Sequence, residues 1–148
     1  MKTYILSFLM WALFTSSSAA NFFTDKNDAA VKTFKLIFKG AKDAVWKFDD
    51  KISFVSFYHN TMPVKAWFGR NGNLIRTIRY YKEDYLNPKL KFEVNERFKG
   101  WNIFGITEVS TSDSLEFSIV LKKDKKICVV TMDHTGNILK KKKFNEAI

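Results

Sequence analysis

Ala30, Phe34 and Phe38 stand four residues apart, with Val31, Ile37 and Ala41 beside them and lysines opposite. An apolar stripe at that spacing is one face of an α-helix. Asn27 or Asp28 caps its start and Gly40 fits near its end. Sixty residues on, Leu90, Val94 and Phe98 repeat the stripe. Here the start is marked more sharply. Asn87 is the cap, and Pro88 takes the first helical position, where a missing N–H costs nothing. Gly100 closes this second helix.

After each helix the apolar period shortens to that of β-strands. Four strands are predicted after the first: Ala44 to Phe48, Ile52 to Tyr58, Val64 to Phe68 and Leu74 to Tyr81. Asp49-Asp50-Lys51 turns the chain between the first two, and Asn60 and Pro63 bracket the next turn. Asn71-Gly72 supplies a hairpin signal, because that pair accepts the positive φ angles of the favoured turn. Four more follow the second helix: Asn102 to Thr111, Leu115 to Lys122, Lys126 to Met132 and Asn137 to Lys142. Phe38-Lys39-Gly40 recurs as Phe98-Lys99-Gly100, and Asn71-Gly72-Asn73-Leu74-Ile75 is echoed by Thr135-Gly136-Asn137-Ile138-Leu139. The expectation is an α+β domain of two helix-plus-four-strand repeats, about 27–82 and 86–143. Short turns make each set of strands an antiparallel meander. Joined edge to edge, the two meanders form one sheet with both helices on one face.

A sheet covered on one side alternates apolar with polar residues. Leu115, Phe117, Ile119 and Leu121 obey this, and Leu74 and Ile78 alternate with Thr77 and Arg79. Ile52 to Tyr58 and Lys126 to Met132 instead place bulky groups on both sides, and Trp67 faces away from Val64, Ala66 and Phe68. Two helices cover only one face, so the second-face groups lack an intramolecular partner. Tyr58, Trp67, Arg76, Arg79 and Tyr80 are the candidate contact residues there, because aromatics and Arg dominate interface energetics. The other reading of this face is that loops, a twin subunit or the sheet's own curl cover it. Trp46 and Trp101 open strands beside helices and read as core.

The chain carries a net charge of +10. Lys122, Lys123, Lys125 and Lys126 flank one turn, and Lys140, Lys141, Lys142 and Lys143 run together near the end. Basic clusters favour anionic partners, whereas lysines on an edge strand also block aggregation. Residues 1–20 read as a signal peptide: Lys2, an apolar run from Tyr4 to Phe14, then small residues with Ser18 and Ala20 placed for cleavage before Asn21. The run is shorter than the roughly 20 residues a membrane span needs. A periplasmic or secreted protein follows, with no membrane span after cleavage. Cys128 is the single cysteine, so no disulfide framework exists and packing alone holds the fold.

Catalytic and metal-binding patterns are missing from the sequence. His59 and His134, the two histidines, lack partners at ligand spacing. No nucleophile elbow, zinc-protease helix, phosphate loop or calcium loop occurs. No enzyme, cofactor or metal is expected. The basic clusters are not interleaved with the aromatics as a nucleic-acid stacking platform requires, which argues against nucleic acid.

These residues together resemble the PepSY-like family of small exported bacterial proteins with the β-lactamase-inhibitor-protein fold. The carriers are Phe34 to Gly40, Val45-Trp46, the Asn71-Gly72-Asn73-Leu74 hairpin with Thr77-Ile78, and Leu86-Asn87-Pro88 leading into Leu90, Val94 and Phe98. Gly100 with Ile103, Ile106 and Val109, and the closing Gly136-Asn137-Ile138, complete them. The resemblance implies tandem units with a curved sheet whose face and hairpin loops hold a protein partner, a hydrolase among them. It also implies a link to peptidase propeptides and inhibition. No loop here matches an inhibitor's contacts, so no inhibitory residue is carried over. The expected function is a non-enzymatic binder of another exported protein or peptide, itself a monomer or weak homodimer. The competing expectation is a binder of anionic envelope polymer or lipid headgroups through the lysine clusters.

Overall fold

The structure, a computed structural model, describes residues 27–145; the predicted leader lies outside them. Helix α1 (Asp28–Ile37) precedes strands β1 (Lys42–Lys47), β2 (Ile52–His59), β3 (Met62–Gly69) and β4 (Leu74–Tyr81). A single 3-10 turn (Glu83–Tyr85) leads into α2 (Pro88–Arg97). Strands β5 (Asn102–Thr111), β6 (Leu115–Lys123), β7 (Lys126–Asp133) and β8 (Ile138–Asn145) follow. All eight form one sheet in chain order, and every neighbouring pair is antiparallel.

Both helices begin as the sequence dictates. The Asn27 side chain accepts from the Ala30 amide, and the Asn87 side chain accepts from the Lys89 amide with Pro88 beside it. Each relieves one of the donors that a helix N-terminus leaves unpaired. Their ends match as well: the Phe38 amide donates to Phe34 and the Phe98 amide to Val94, with Gly40 and Gly100 next but one at φ +81° and +78°.

Strand register shows that the helices share a face. Phe57, Val64, Arg79, Glu108, Phe117 and Met132 are successive cross-strand partners, so their side chains project to one side. At one end of this row, Phe57 and Val64 pack with Ala30, Phe34 and Phe38 around α1. At the other, Phe117 and Met132 pack with Leu90, Val94 and Phe98 around α2. The two buried clusters are distinct. Trp46 packs against the first and Trp101 against the second, in line with their reading as core. Cys128 is fully buried in the second.

Several boundaries shift for identifiable reasons. Asn60 and Thr61 both take positive φ (48° and 67°) and turn the chain in two residues, so Pro63 lies in β3 opposite Tyr58 rather than in the turn. A β-branched residue is costly in that conformation, which is why Thr61 gave no turn signal. Glu83–Tyr85 winds into a turn held to α2 by a Lys91–Glu83 ion pair of 2.9 Å. A bulge between Trp67 and Phe68 resets β4, so that Leu74 faces the α1 core while Ile78 lies on the opposite side.

Helix α1 also docks on the β3–β4 hairpin. Asn27 Nδ2 donates to the Gly69 carbonyl at 3.0 Å, and a Cβ on Gly72 (φ +81°) would lie 2.6 Å from the Ala29 carbonyl carbon. Gly40 has the same φ but open space around it. Gly40→Ala should therefore cost about 1–2 kcal/mol from conformation alone. Gly72→Ala should add a further ~1–3 kcal/mol of overpacking. Equal denaturant midpoints for the two variants would contradict this docking. Ser53 is fully buried with its hydroxyl unpartnered. Ser53→Ala should leave stability unchanged or raise it by about 1 kcal/mol, read from the same denaturation curves.

Candidate functional site

On the side away from the helices no element of residues 27–145 covers the sheet. Its strands place side chains there in register. Lys47, Phe54, Trp67, Arg76 and Thr111 form one row across β1 to β5. The Phe54 and Trp67 ring centroids are 5.1 Å apart at 57°, and the Arg76 guanidinium carbon lies 4.1 Å from the Trp67 ring centre. Such a stack contributes about 0.5–1 kcal/mol per cation–π contact at an exposed site and holds all three groups in place. Nearby, the Lys65 ammonium sits 5.6 Å from the Tyr80 ring centre. Tyr58, 49% exposed, stands on this face one residue before the end of β2.

Farther along, β5 carries a bulge between Ile103 and Gly105 that leaves Phe104 without a cross-strand partner. Its ring is 52% exposed, with the Lys82 and Lys122 ammoniums 4.7 and 4.2 Å from its centre. Lys82 also donates to the Phe104 carbonyl at 3.1 Å. A groove of about 490 Å³ opens here, with Pro63, Tyr80, Tyr85, Phe104, Thr107 and Val120 among its walls and Gly105 on its floor. The face thus carries aromatic rings, three of which (Trp67, Tyr80 and Phe104) are met by cations.

Four of the five aromatic and Arg candidates, Tyr58, Trp67, Arg76 and Tyr80, lie on this open face. Arg79 does not. Strand parity puts it with Thr77 and Tyr81 on the helix side, in the row that joins the two cores. There Arg79 Nη1 lies 3.4 Å from Glu108 Oε1, and the Tyr81 hydroxyl donates to Glu108 Oε2 at 2.8 Å. Burial, then the hydrogen bond to Glu108 and its charge, push the Tyr81 phenol well above its ordinary value, with Arg79 opposing. Arg79 partners a largely buried carboxylate on the helix side, away from the open face where the other four candidates lie.

The lysine clusters do not form one patch. Lys140 and Lys142 pair with Thr131 and Val129 on the open face, whereas Lys141 and Lys143 pair with Val130 and Cys128 on the helix side. Lys141 lies 5.0 Å from the Phe98 ring centre. Lys123 and Lys126 face each other across the turn that holds Lys125, and Lys122 joins Phe104 on the open face. Phe104, Phe54 and Lys82 were missing from the sequence-based site. An isolated glycine inside a predicted strand marks a bulge, and Phe104-Gly105 is that signal.

His59 Nε2 lies 3.1 Å from the Lys39 carbonyl, a packing role at a strand end. Among the described residues, no group of three or more His, Cys, Asp or Glu could hold a metal ion, and no helix is long and apolar enough to cross a membrane.

No protein-family model and no curated protein matches this sequence. Solved structures do match. A BLIP-like protein of Bacteroides fragilis aligns over 82% of this chain and 88% of its own, with a TM-score of 0.63 and 16% identity. A DUF2874 family protein of Bacteroides ovatus aligns over 78% and 85%, with a TM-score of 0.61 and 20% identity. A Bacteroides eggerthii protein, described provisionally as periplasmic, aligns over 81% and 90%, with a TM-score of 0.62 and 14% identity. This chain has the BLIP-like fold. At these identities the likeness is one of architecture.

The Tyr81 environment gives a direct test of the helix-side seam. A phenol raised above its unfolded value stabilises the fold below pH ~10, and that contribution is lost as pH rises and the unfolded chain ionises first. Ultraviolet titration should show one tyrosine ionising after the others, and Tyr81→Phe should remove that late step. A late step that survives in Tyr81→Phe would refute the assignment.

Proposed function

We propose that this chain is a non-enzymatic, exported binding module that holds another protein against its open sheet face. The observation that carries this reading is the row Phe54–Trp67–Arg76 with Tyr80 and Phe104 nearby: aromatic rings preset by cations on a face the described chain leaves uncovered. Uncovered aromatic and Arg groups of this kind are what protein interfaces concentrate at their centres. Burying one such ring in a partner contributes ~2 kcal/mol. The BLIP-like fold supports the reading, and an exported hydrolase is one partner class that the sequence resemblance implies. Export follows the predicted leader at residues 1–20, and the provisional periplasmic description of the Bacteroides eggerthii neighbour agrees with it. We assign the chain to the PepSY-like family on its sequence signatures, as one domain of two sister units, about 27–82 and 86–143.

The lysine clusters favour a polymer or headgroup partner less. Their split between two faces disperses the charge that such a ligand would need concentrated. A photo-crosslinking residue at Ser56, on the open face, should capture a discrete protein from the exported fraction, and Trp67→Ala should abolish the capture. The same residue at Leu36, exposed on α1, should capture nothing. Retention at high salt separates an apolar contact from polymer binding, which ionic strength screens. Capture that is equal from both faces, or lost entirely at high salt, would refute the reading.

A further inference from the structure

The groove at Phe104 is built for more than general adhesion. Its floor is Gly105, whose backbone is unstrained and where an added Cβ would meet only the Tyr81 carbonyl, at 3.9 Å. The space above it is therefore open. One wall is the Phe104 ring with two ammoniums at 4.2 and 4.7 Å, and another is Tyr80 with the Lys65 ammonium at 5.6 Å. Apolar walls with converging cations suit a side chain that is apolar next to one that is anionic.

A polar track leaves the groove across the sheet. Tyr80, Thr107, Ser118, Thr131 and Lys140 are successive cross-strand partners, so three hydroxyl side chains lie in line on the open face between the groove and Lys140. Adjacent strands are about 4.8 Å apart, so the track from β5 to β8 is roughly 14 Å long, the reach of about four extended residues. Hydroxyls donate and accept, which matches the alternating groups of a peptide main chain. Cations at both ends match carboxylates at both ends.

We propose that the groove and track take an extended acidic segment of a partner protein. A carboxylate engages Lys82 and Lys122, the adjoining aromatic side chain lies over Gly105, and the main chain runs along Thr107, Ser118 and Thr131 towards Lys140. This occupant presupposes the protein-binding reading above and names the chemistry of its partner. A second copy of this chain is the wrong occupant: the open face carries Lys65, Arg76, Lys122, Lys140 and Lys142 against Glu116 and Asp133, and two faces with the same cationic excess oppose docking.

The probe is a fluorescein-labelled, acetylated and amidated peptide, Glu-Phe-Asp-Thr-Ser-Glu, titrated into the purified protein and followed by anisotropy. Saturable binding is expected, weakened tenfold or more by Gly105→Leu, by Lys82→Gln combined with Lys122→Gln, and by Phe→Ala in the peptide. Gly105→Leu should keep its melting temperature, and if Leu disturbs the fold, Gly105→Val fills the same floor with a strand-favouring residue. Unchanged affinity in the folded filled-floor variant overturns the assignment. So does equal binding of the Phe→Ala peptide, which is charge attraction alone. Full displacement by vesicles of 30% phosphatidylglycerol in phosphatidylcholine, with no effect of the filled floor, also overturns it in favour of a lipid surface. Peptide binding that fails while Ser56 crosslinking persists removes this occupant and leaves the open face as an interface. Failure of both removes the interface reading too.

Discussion

Strand parity governs this molecule. In one continuous sheet each side chain belongs to one of two sides, and a residue cannot change side without a bulge. Both helices settle on the same side, so the row from Phe57 to Met132 is enclosed and the row from Lys47 to Thr111 is not. The enclosed row is apolar except where β4 meets β5. There Arg79 and Glu108 face each other between the two buried clusters, and Tyr81 satisfies the second carboxylate oxygen. A partly buried ion pair adds little net stability, but losing one member leaves the other uncompensated.

The open side follows from the same geometry. Trp67 and Phe54 occupy positions that a sandwich or a third helix would cover, and here a guanidinium lies on the indole instead. Stability comes from the helix side, where aromatic contacts knit Phe34 to Phe38, Trp46 and Phe57. Rings already held by neighbouring cations lose little freedom when a partner arrives, which lowers the entropic cost of association. The cations lie over the Trp67, Tyr80 and Phe104 rings, so a partner of opposite charge meets charge and ring together.

Most of the architecture was legible because local signals and tertiary need agreed. Asn87-Pro88 set the start of α2 and the Phe34 and Phe98 stripes set the buried faces, as observed. The range Leu74 to Tyr81 matched β4 residue for residue. What the sequence could not show was phase. Leu74 and Ile78, four apart, read as one face, yet the bulge between them separates their sides. Arg76, Arg79 and Tyr80 read as one cluster although an odd step divides them. Phe104 escaped for the same reason, because a bulge is a property of two strands and only one carries its glycine. The chemistry of the open face was half visible: the residue types were plain, but the pairing of Trp67, Tyr80 and Phe104 with cations depends on neighbouring strands.

The strand order has a consequence for how such a sheet comes into being. Each strand hydrogen-bonds to the one before and the one after it in the chain, and the single long interruption, through the 3-10 turn and α2, still joins immediate neighbours. Closing short loops costs little entropy, so no pairing in this sheet requires distant segments to search for each other. Growth can start around either helix and spread outward like a zip. Such a chain is well suited to assembling quickly, with no disulfide to wait for.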